Sequence, residues 1–116
     1  MVVKRWQIYF LNLNPVVGSE QAGTRPAIVI SADSVNRLNQ VTVMPLTSMK
    51  NPQGNIYPNE VFLPISVTNL PKPSIGMAHQ LRTVDKIRLA SFVGSLNDRE
   101  YQQNIEEAIK FQLDLT

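Results

Sequence analysis

The sequence predicts an α+β chain that is mostly β, a small antiparallel barrel-like sheet with one helix at its C-terminal end. Three observations carry this. Short apolar runs of strand length are separated by clusters of Pro, Gly and Asn. The run from Pro26 to Ser31 is almost continuously apolar, as in a strand buried on both faces. Near the end the period changes, and Tyr101, Ile105, Ala108, Ile109 and Leu113 fall at helical spacing.

Each element follows in order. Gln7 to Leu13 is the first strand, where Ile8, Phe10 and Asn12 alternate with Tyr9, Leu11 and Leu13. Asn14 and Pro15 end it, and Gly18 to Gly23 is a polar loop. Pro26 to Ser31 is the second strand. Ala32 to Asn39 is polar, with Val35 and Leu38 three apart, and suits one or two helical turns. Val41 to Leu46 is the third strand. Met49 to Asn59 carries Asn51, Pro52, Gly54 and Pro58 and is a long loop. Glu60 to Ile65 and Gly76 to Leu81 are two more strands, separated by a loop containing Pro71 and Pro73. Phe92 and Val93 belong to a last short strand. Asp98 to Leu115 is an amphipathic helix, with Asn97 as its N-cap and Glu100 at the capping-box position.

Size and composition bound the function. A chain of 116 residues forms one domain, spanning residues 1–116, and buries about two-thirds of its unfolded surface. It holds no cysteine, which excludes disulfides and thiolate metal sites, and its one histidine cannot build a His-rich zinc site. No apolar run approaches the ~20 residues that cross a bilayer, and Met1 to Trp6 lacks the pattern of a signal peptide. The expectation is a soluble, cytoplasmic protein with no membrane partner. Residues 1–88 hold nine basic residues against four acidic, whereas residues 89–116 hold two against five. The basic portion suits an anion such as a nucleic-acid backbone or an acidic peptide. An ordinary mixed surface gives the same balance.

The loop from Gly18 to Arg25 holds the first chemistry. Its glycines reach backbone conformations closed to other residues, and Ser19, Glu20 and Gln21 can exchange hydrogen bonds with base edges. Arg25 precedes Pro26, so its backbone is biased to the extended region. That places a forked guanidinium, matched to phosphate oxygens, at the start of a strand. The same spacing also describes a plain hairpin loop with a surface arginine.

The run Asn14-Pro15-Val16-Val17-Gly18-Ser19-Glu20-Gln21-Ala22-Gly23-Thr24-Arg25-Pro26, continuing to Ser31, resembles the leading motif of the MazF/PemK/Kid toxins. Pro45 to Ser48 resembles the end of that family's third strand, and Gln80 to Asp85 its Gln-x-Arg-Thr-x-Asp block. The opening Val3-Lys4-Arg5 and the Ile8 to Leu13 strand also fit. The resemblance implies an SH3-like barrel of the MazF/CcdB type and a homodimer. It implies cofactor-free, metal-independent cleavage of single-stranded RNA, and an acidic antitoxin whose tail blocks the RNA groove. By the same resemblance Arg25 and Thr47 match the two positions assigned to catalysis.

The chemistry suits these residues. A neighbouring 2′-hydroxyl can cut RNA, so the protein need only stabilise a charged five-coordinate phosphorus and help move protons. Arg25 fits the first task, since a guanidinium stays charged and holds two oxygens. Thr47 can donate to the same oxygens, and Ser48 faces the other way if the strand continues through it. His79 stands where many family members carry an acid before the glutamine. It is equally a candidate for proton transfer and for base recognition. Ser48, Lys50, Gln80 and Arg82 are further RNA contacts, although Arg82 and Asp85 read equally as a structural pair at a strand-to-helix turn. Lys4 and Arg5 are weaker phosphate candidates, and Trp6, Tyr9 and Phe10 suit a core or an interface as well as a base. Two other functions compete: a CcdB-like gyrase poison without nuclease activity, and a non-catalytic SH3-like binding module. An intact Arg25 block with Thr47 argues against the gyrase poison, which needs no phosphate clamp there.

Overall fold

A computed structural model describes residues 2–12, 18, 23–49 and 56–116. Its strands are β1 (Gln7–Asn12), β2 (Thr24–Val29), β3 (Gln40–Ser48), β4 (Glu60–Leu63), β5 (Ser74–Met77), β6 (Arg82–Asp85) and β7 (Leu89–Ser95). A single helical turn, α1 (Ile65–Thr68), follows β4, and α2 (Arg99–Leu113) follows β7. Every strand pair is antiparallel, along the path β4-β5-β3-β2-β1-β7 with β6 also on β3. Among the described residues β4 and β7 end this path, so the barrel-like sheet is open at one seam. No helix is long and apolar enough to cross a membrane among the described residues.

β3 is the longest strand and is shared on both edges. One edge pairs with β2. The other pairs with β6 through Gln40–Val43 and with β5 through Leu46–Ser48. Met44 and Pro45 fall between these two partners. Thr42 turns both backbone groups toward β2's side, its N–H donating to Ser31 Oγ at 3.0 Å and its carbonyl accepting from Ile30 at 2.8 Å. Backbone directions alternate along a strand, so the donor that Pro45 lacks would point to the edge where the partner changes. A proline is thereby accommodated in a central strand without breaking a ladder bond.

Alternation divides the buried residues between the two faces of the sheet. Ile8, Ile28, Met44, Leu46, Val61 and Leu63 pack with Ile105 and Ala108 of α2. Tyr9, Leu11, Ala27, Val29, Val41 and Val43 form a second cluster with Val84 and Leu89. This explains why β2 and β3 read as nearly continuous apolar runs.

The elements depart from the sequence expectations in places that share a cause. β1 ends at Asn12, and the expected Leu13 lies outside the described residues. β2 begins at Thr24 and ends at Val29, earlier than the expected Pro26 to Ser31, because its polar start pairs with Leu11 and Asn12. β4 stops at Leu63 before Pro64, and Ile65 opens α1, which ends on Asn69 in the left-handed region at φ 64°. β5 begins at Ser74, and the expected strand gives way at Ala78 to a 3-10 turn, Ala78–Gln80. β6 and the start of β7 escaped notice because burial leaves no apolar alternation in them: β6 buries only Val84, and β7 only Leu89. Arg82 and Asp85 sit at opposite ends of β6 and three residues apart, hence on opposite faces, so the proposed structural pair does not form. Asp85 instead accepts from Ile87 N at 3.0 Å and caps a second 3-10 turn, Lys86–Arg88. The N-cap of α2 is Asp98, not Asn97; its carboxylate accepts from Glu100 N and Tyr101 N. The helical turns expected after β2 appear as hydrogen-bonded turns that do not extend into a helix, with Asn36 N bonded to Ala32 O at 3.0 Å.

Trp6 has φ 76°, uncommon for a bulky side chain, and is held there from both sides. Its N–H donates to Val29 O and its carbonyl accepts from Leu96, both at 2.8 Å. Arg5 lies over its ring at 4.6 Å from the centroid and reaches Glu106 of α2 at 3.4 Å. These contacts fasten the start of β1 to the helix.

Tyr9 is 5% exposed, stacks edge-on against Phe92 at 5.5 Å, and donates from its hydroxyl to Gln7 Oε1 at 3.0 Å. Burial pushes its phenol above the ordinary 10.0, because the phenolate would lose its hydration. The folded-state value is the higher, so this contribution to stability is intact below the unfolded value and declines as pH rises through the folded one. Denaturant unfolding of the wild type and Tyr9→Phe should therefore differ by a constant amount below pH 10.0 and by less above it. A gap that stays constant through strongly alkaline pH would refute the assignment.

Candidate functional site

β1 ends, β2 begins, β3 ends and β5 begins at one pole of the sheet, so several strand ends present side chains together there. The glycines flanking the loop between β1 and β2 both lie in the left-handed region, Gly18 at φ 63° and Gly23 at φ 78°. At neither does an added Cβ meet any atom within 4 Å, so the constraint is backbone conformation and not space. Ser19, Glu20 and Gln21, between them, lie outside the described residues, as does Lys50 after β3.

Arg25 is exposed on β2, opposite Leu11 of β1. The β2–β3 register pairs Ala27 with Pro45 and Val29 with Val43. Carried two residues further toward the pole, the same register sets Arg25 across from Thr47, with both side chains on one face. Thr47 is half-buried, and on its other side it pairs with Ile75 of β5. A guanidinium and a hydroxyl on adjacent strands can bracket one tetrahedral anion. β3 continues through Ser48, which pairs with Ser74 and therefore points to the opposite face. There it lines a small cavity of about 110 Å³ with Phe10, Pro26, Leu70 and Lys72.

The third block lies elsewhere. His79 is exposed in the 3-10 turn beyond β5 and lines a groove of about 720 Å³ with Tyr57, Asn59, Glu60, Phe111 and Gln112. Neither Arg25 nor Thr47 lines that groove, so within one chain His79 is not brought to their face. Gln80 is half-buried beside it. Arg82 is half-buried on β6 opposite Val43, four residues along β3 from Thr47. A cation that sequence reasoning missed is Arg88, whose Nη1 donates to Asn12 O at 3.0 Å, at the end of β1. The two are 76 residues apart, and no local pattern announces the contact. Lys72, on the rim of the small cavity, was likewise unforeseen, because it lies in a proline loop. Among the described residues no three His, Asp or Glu side chains converge as metal ligands would.

Residues 4–113 match the family described as PemK-like, MazF-like toxins of type II toxin–antitoxin systems. The chain belongs to that family. It is 34% identical over 115 residues to Endoribonuclease EndoA of Bacillus subtilis, covering 99% of this chain and 97% of that protein. It is also 34% identical over 120 residues to Endoribonuclease MazF9 of Mycobacterium tuberculosis, covering 98% of each. The crystal structure of MazF from Deinococcus radiodurans superposes with a TM-score of 0.81 at 26% identity over 99% of both chains. The antiparallel sheet and C-terminal helix of this toxin are those of its relatives.

Gly23 sits two residues before Arg25, where the loop is handed to β2. Gly23→Ala should destabilise the toxin by roughly 1–2 kcal/mol, the cost of a side chain in the left-handed region. Chemical denaturation checks this, and an unchanged midpoint would show that the loop relaxes freely.

Proposed function

We propose that this toxin is a sequence-specific endoribonuclease that cuts single-stranded RNA by attack of a 2′-hydroxyl on the adjacent phosphorus. Two things support this reading: the β2–β3 register, which pairs Ala27 with Pro45 and, carried two residues on, would set Arg25 across from Thr47, and a family whose relatives are named endoribonucleases. Arg25 neutralises the phosphoryl oxygens as charge builds on them, and Thr47 donates to the same oxygens or orients the 2′-hydroxyl. The new bond joins the 2′-oxygen to phosphorus and the bond to the 5′-oxygen breaks. One proton leaves the 2′-oxygen and one reaches the departing 5′-oxygen. The products are a 2′,3′-cyclic phosphate and a 5′-hydroxyl. The sequence calls for no cofactor: RNA supplies the nucleophile, and a permanently charged arginine supplies the electrostatics.

Ser19, Glu20, Gln21 and Lys50 are assigned to the RNA, the first three to base edges and Lys50 to phosphate. Ser48, Gln80 and Arg82 are flanking contacts. For His79 we favour recognition over proton transfer. Its groove is rimmed by the exposed rings of Tyr57 and Phe111, and aromatic faces of that kind stack on unpaired bases. The toxin acts in the cytoplasm as a homodimer, and an acidic antitoxin restrains it by competing with RNA for the basic pole.

Two measurements test this reading. Purified toxin should cleave single-stranded RNA in excess chelator, and Arg25→Ala should lower the rate by at least 100-fold while leaving unfolding and oligomeric state unchanged. Full turnover in that variant would remove the clamp. His79→Gln should alter the preferred cleavage sequence or KM and keep the shape of the pH–rate profile between about pH 5.5 and 7.5. A flattened profile would make His79 the proton-transfer group instead.

A further inference from the structure

The pole opposite Arg25 and Thr47 carries a second concentration of positive charge. Three segments far apart in sequence meet there. They are the chain before β1, the turns after β2, and the 3-10 turn after β6. Together they enclose a cleft of about 470 Å³ whose charged lining is Lys4, Asp33, Arg37 and Lys86. The salt bridges among the described residues are Arg5–Glu106 and Lys110–Glu107, so none of the three cations is held in an ion pair. The one acid in the lining is Asp33, whose Oδ1 accepts from Arg5 N at 2.7 Å, so three positive charges share the cleft with one negative.

The supports of these cations are fixed. Asn36, next to Arg37, is 2% exposed, and its Nδ2 donates to Ser31 O at 2.8 Å while its Oδ1 accepts from Ser31 Oγ. Lys86 N donates to Asn39 O at 2.9 Å, and Lys4 N donates to Gln7 Oε1 at 2.8 Å. Backbone and buried amide thus anchor the turns, while the charged side chains stay available. Of the N-terminal cations singled out in the sequence, Arg5 is committed to Trp6 and Glu106, and Lys4 is the one left to the cleft.

We infer that this cleft is a phosphate-binding subsite that holds the RNA backbone away from the point of cleavage. The inference rests on the proposed RNA substrate. It adds that one bound strand engages both poles. β3 spans the distance between them, on the order of 25 Å for its nine residues, which corresponds to several nucleotides. Phosphate contacts of this kind fix register and orientation without reading sequence. The cleft therefore contributes affinity for long RNA, and base selection stays at the catalytic pole.

The test compares wild type with the triple variant Lys4→Gln, Arg37→Gln, Lys86→Gln. The probe is an RNA that extends well beyond the cut site, with a deoxynucleotide at the cut to prevent cleavage. Fluorescence anisotropy is read as a function of salt. Losing three phosphate contacts should flatten the slope of log affinity against log salt by about two, at roughly 0.7 per contact for a single strand. Binding and cleavage of a minimal oligonucleotide spanning only the cut site should be unaffected. An unchanged slope with the long RNA overturns the subsite. So does a variant that keeps its RNA affinity but loses its antitoxin, since the cleft would then serve an acidic peptide. Because the probe is not cleaved, this result is independent of whether the wild type proves to be a nuclease.

Discussion

The structure depends on one strand having different partners along its two edges. β3 gives one edge wholly to β2 and divides the other between β6 and β5. Pro45 sits at that division, where its missing N–H breaks no ladder bond. Because both faces of β3 are also covered, Met44 and Leu46 enter the helix-side cluster while Val41 and Val43 enter the other. Slipping this strand by one residue would exchange the two clusters and turn Thr47 away from Arg25. The register that buries the core is thus also the one that, carried two residues on, sets Arg25 across from Thr47.

Candidate functional side chains are divided between the poles of the sheet as a consequence. Arg25 and Thr47 gather where β2 begins and β3 ends, beside the left-handed glycines of the loop. Lys4, Arg37 and Lys86 gather at the other end of the same strands, on turns tied down by Asn36 and by Lys86 N. A formal net charge of only +2 hides this arrangement, since residues 89–116 hold five acidic residues against two basic. What an approaching polyanion meets is the local field, and that field depends on how cations outnumber acids at each pole.

Arg5 and Trp6 show how a neighbouring residue pair can be taken out of the functional inventory. Trp6 adopts a left-handed backbone that its side chain disfavours, and two backbone hydrogen bonds with the Arg5 and Glu106 contacts hold it there. The cost is met by docking α2 against the sheet. Arg5 is thereby a structural cation, although one residue earlier Lys4 faces solvent.

Much was legible in the sequence because the responsible signals are local. Alternation identified β1. The apolar runs identified β2 and β3, and their continuity reflects burial on both faces. Period 3.6 identified α2. The long motif pointed to the family and to Arg25, and the Pro45 to Ser48 block to Thr47. The failures were places where a neighbour decides. β6 is a polar strand, and of β7 only the start was missed; backbone pairing to β3 and β1 holds them, and a single buried residue in each leaves little apolar alternation to find. The helix cap moved to Asp98 because either of two adjacent polar residues fits the local rule, and only the fold selects one. For His79 the sequence offered proton transfer and recognition equally, and the fold adds that a 3-10 turn carries it toward the end of α2. The sequence alone determined which residues are fit for phosphate chemistry. Tertiary structure decided which of them stand together, because strand register and charge pairing join positions tens of residues apart.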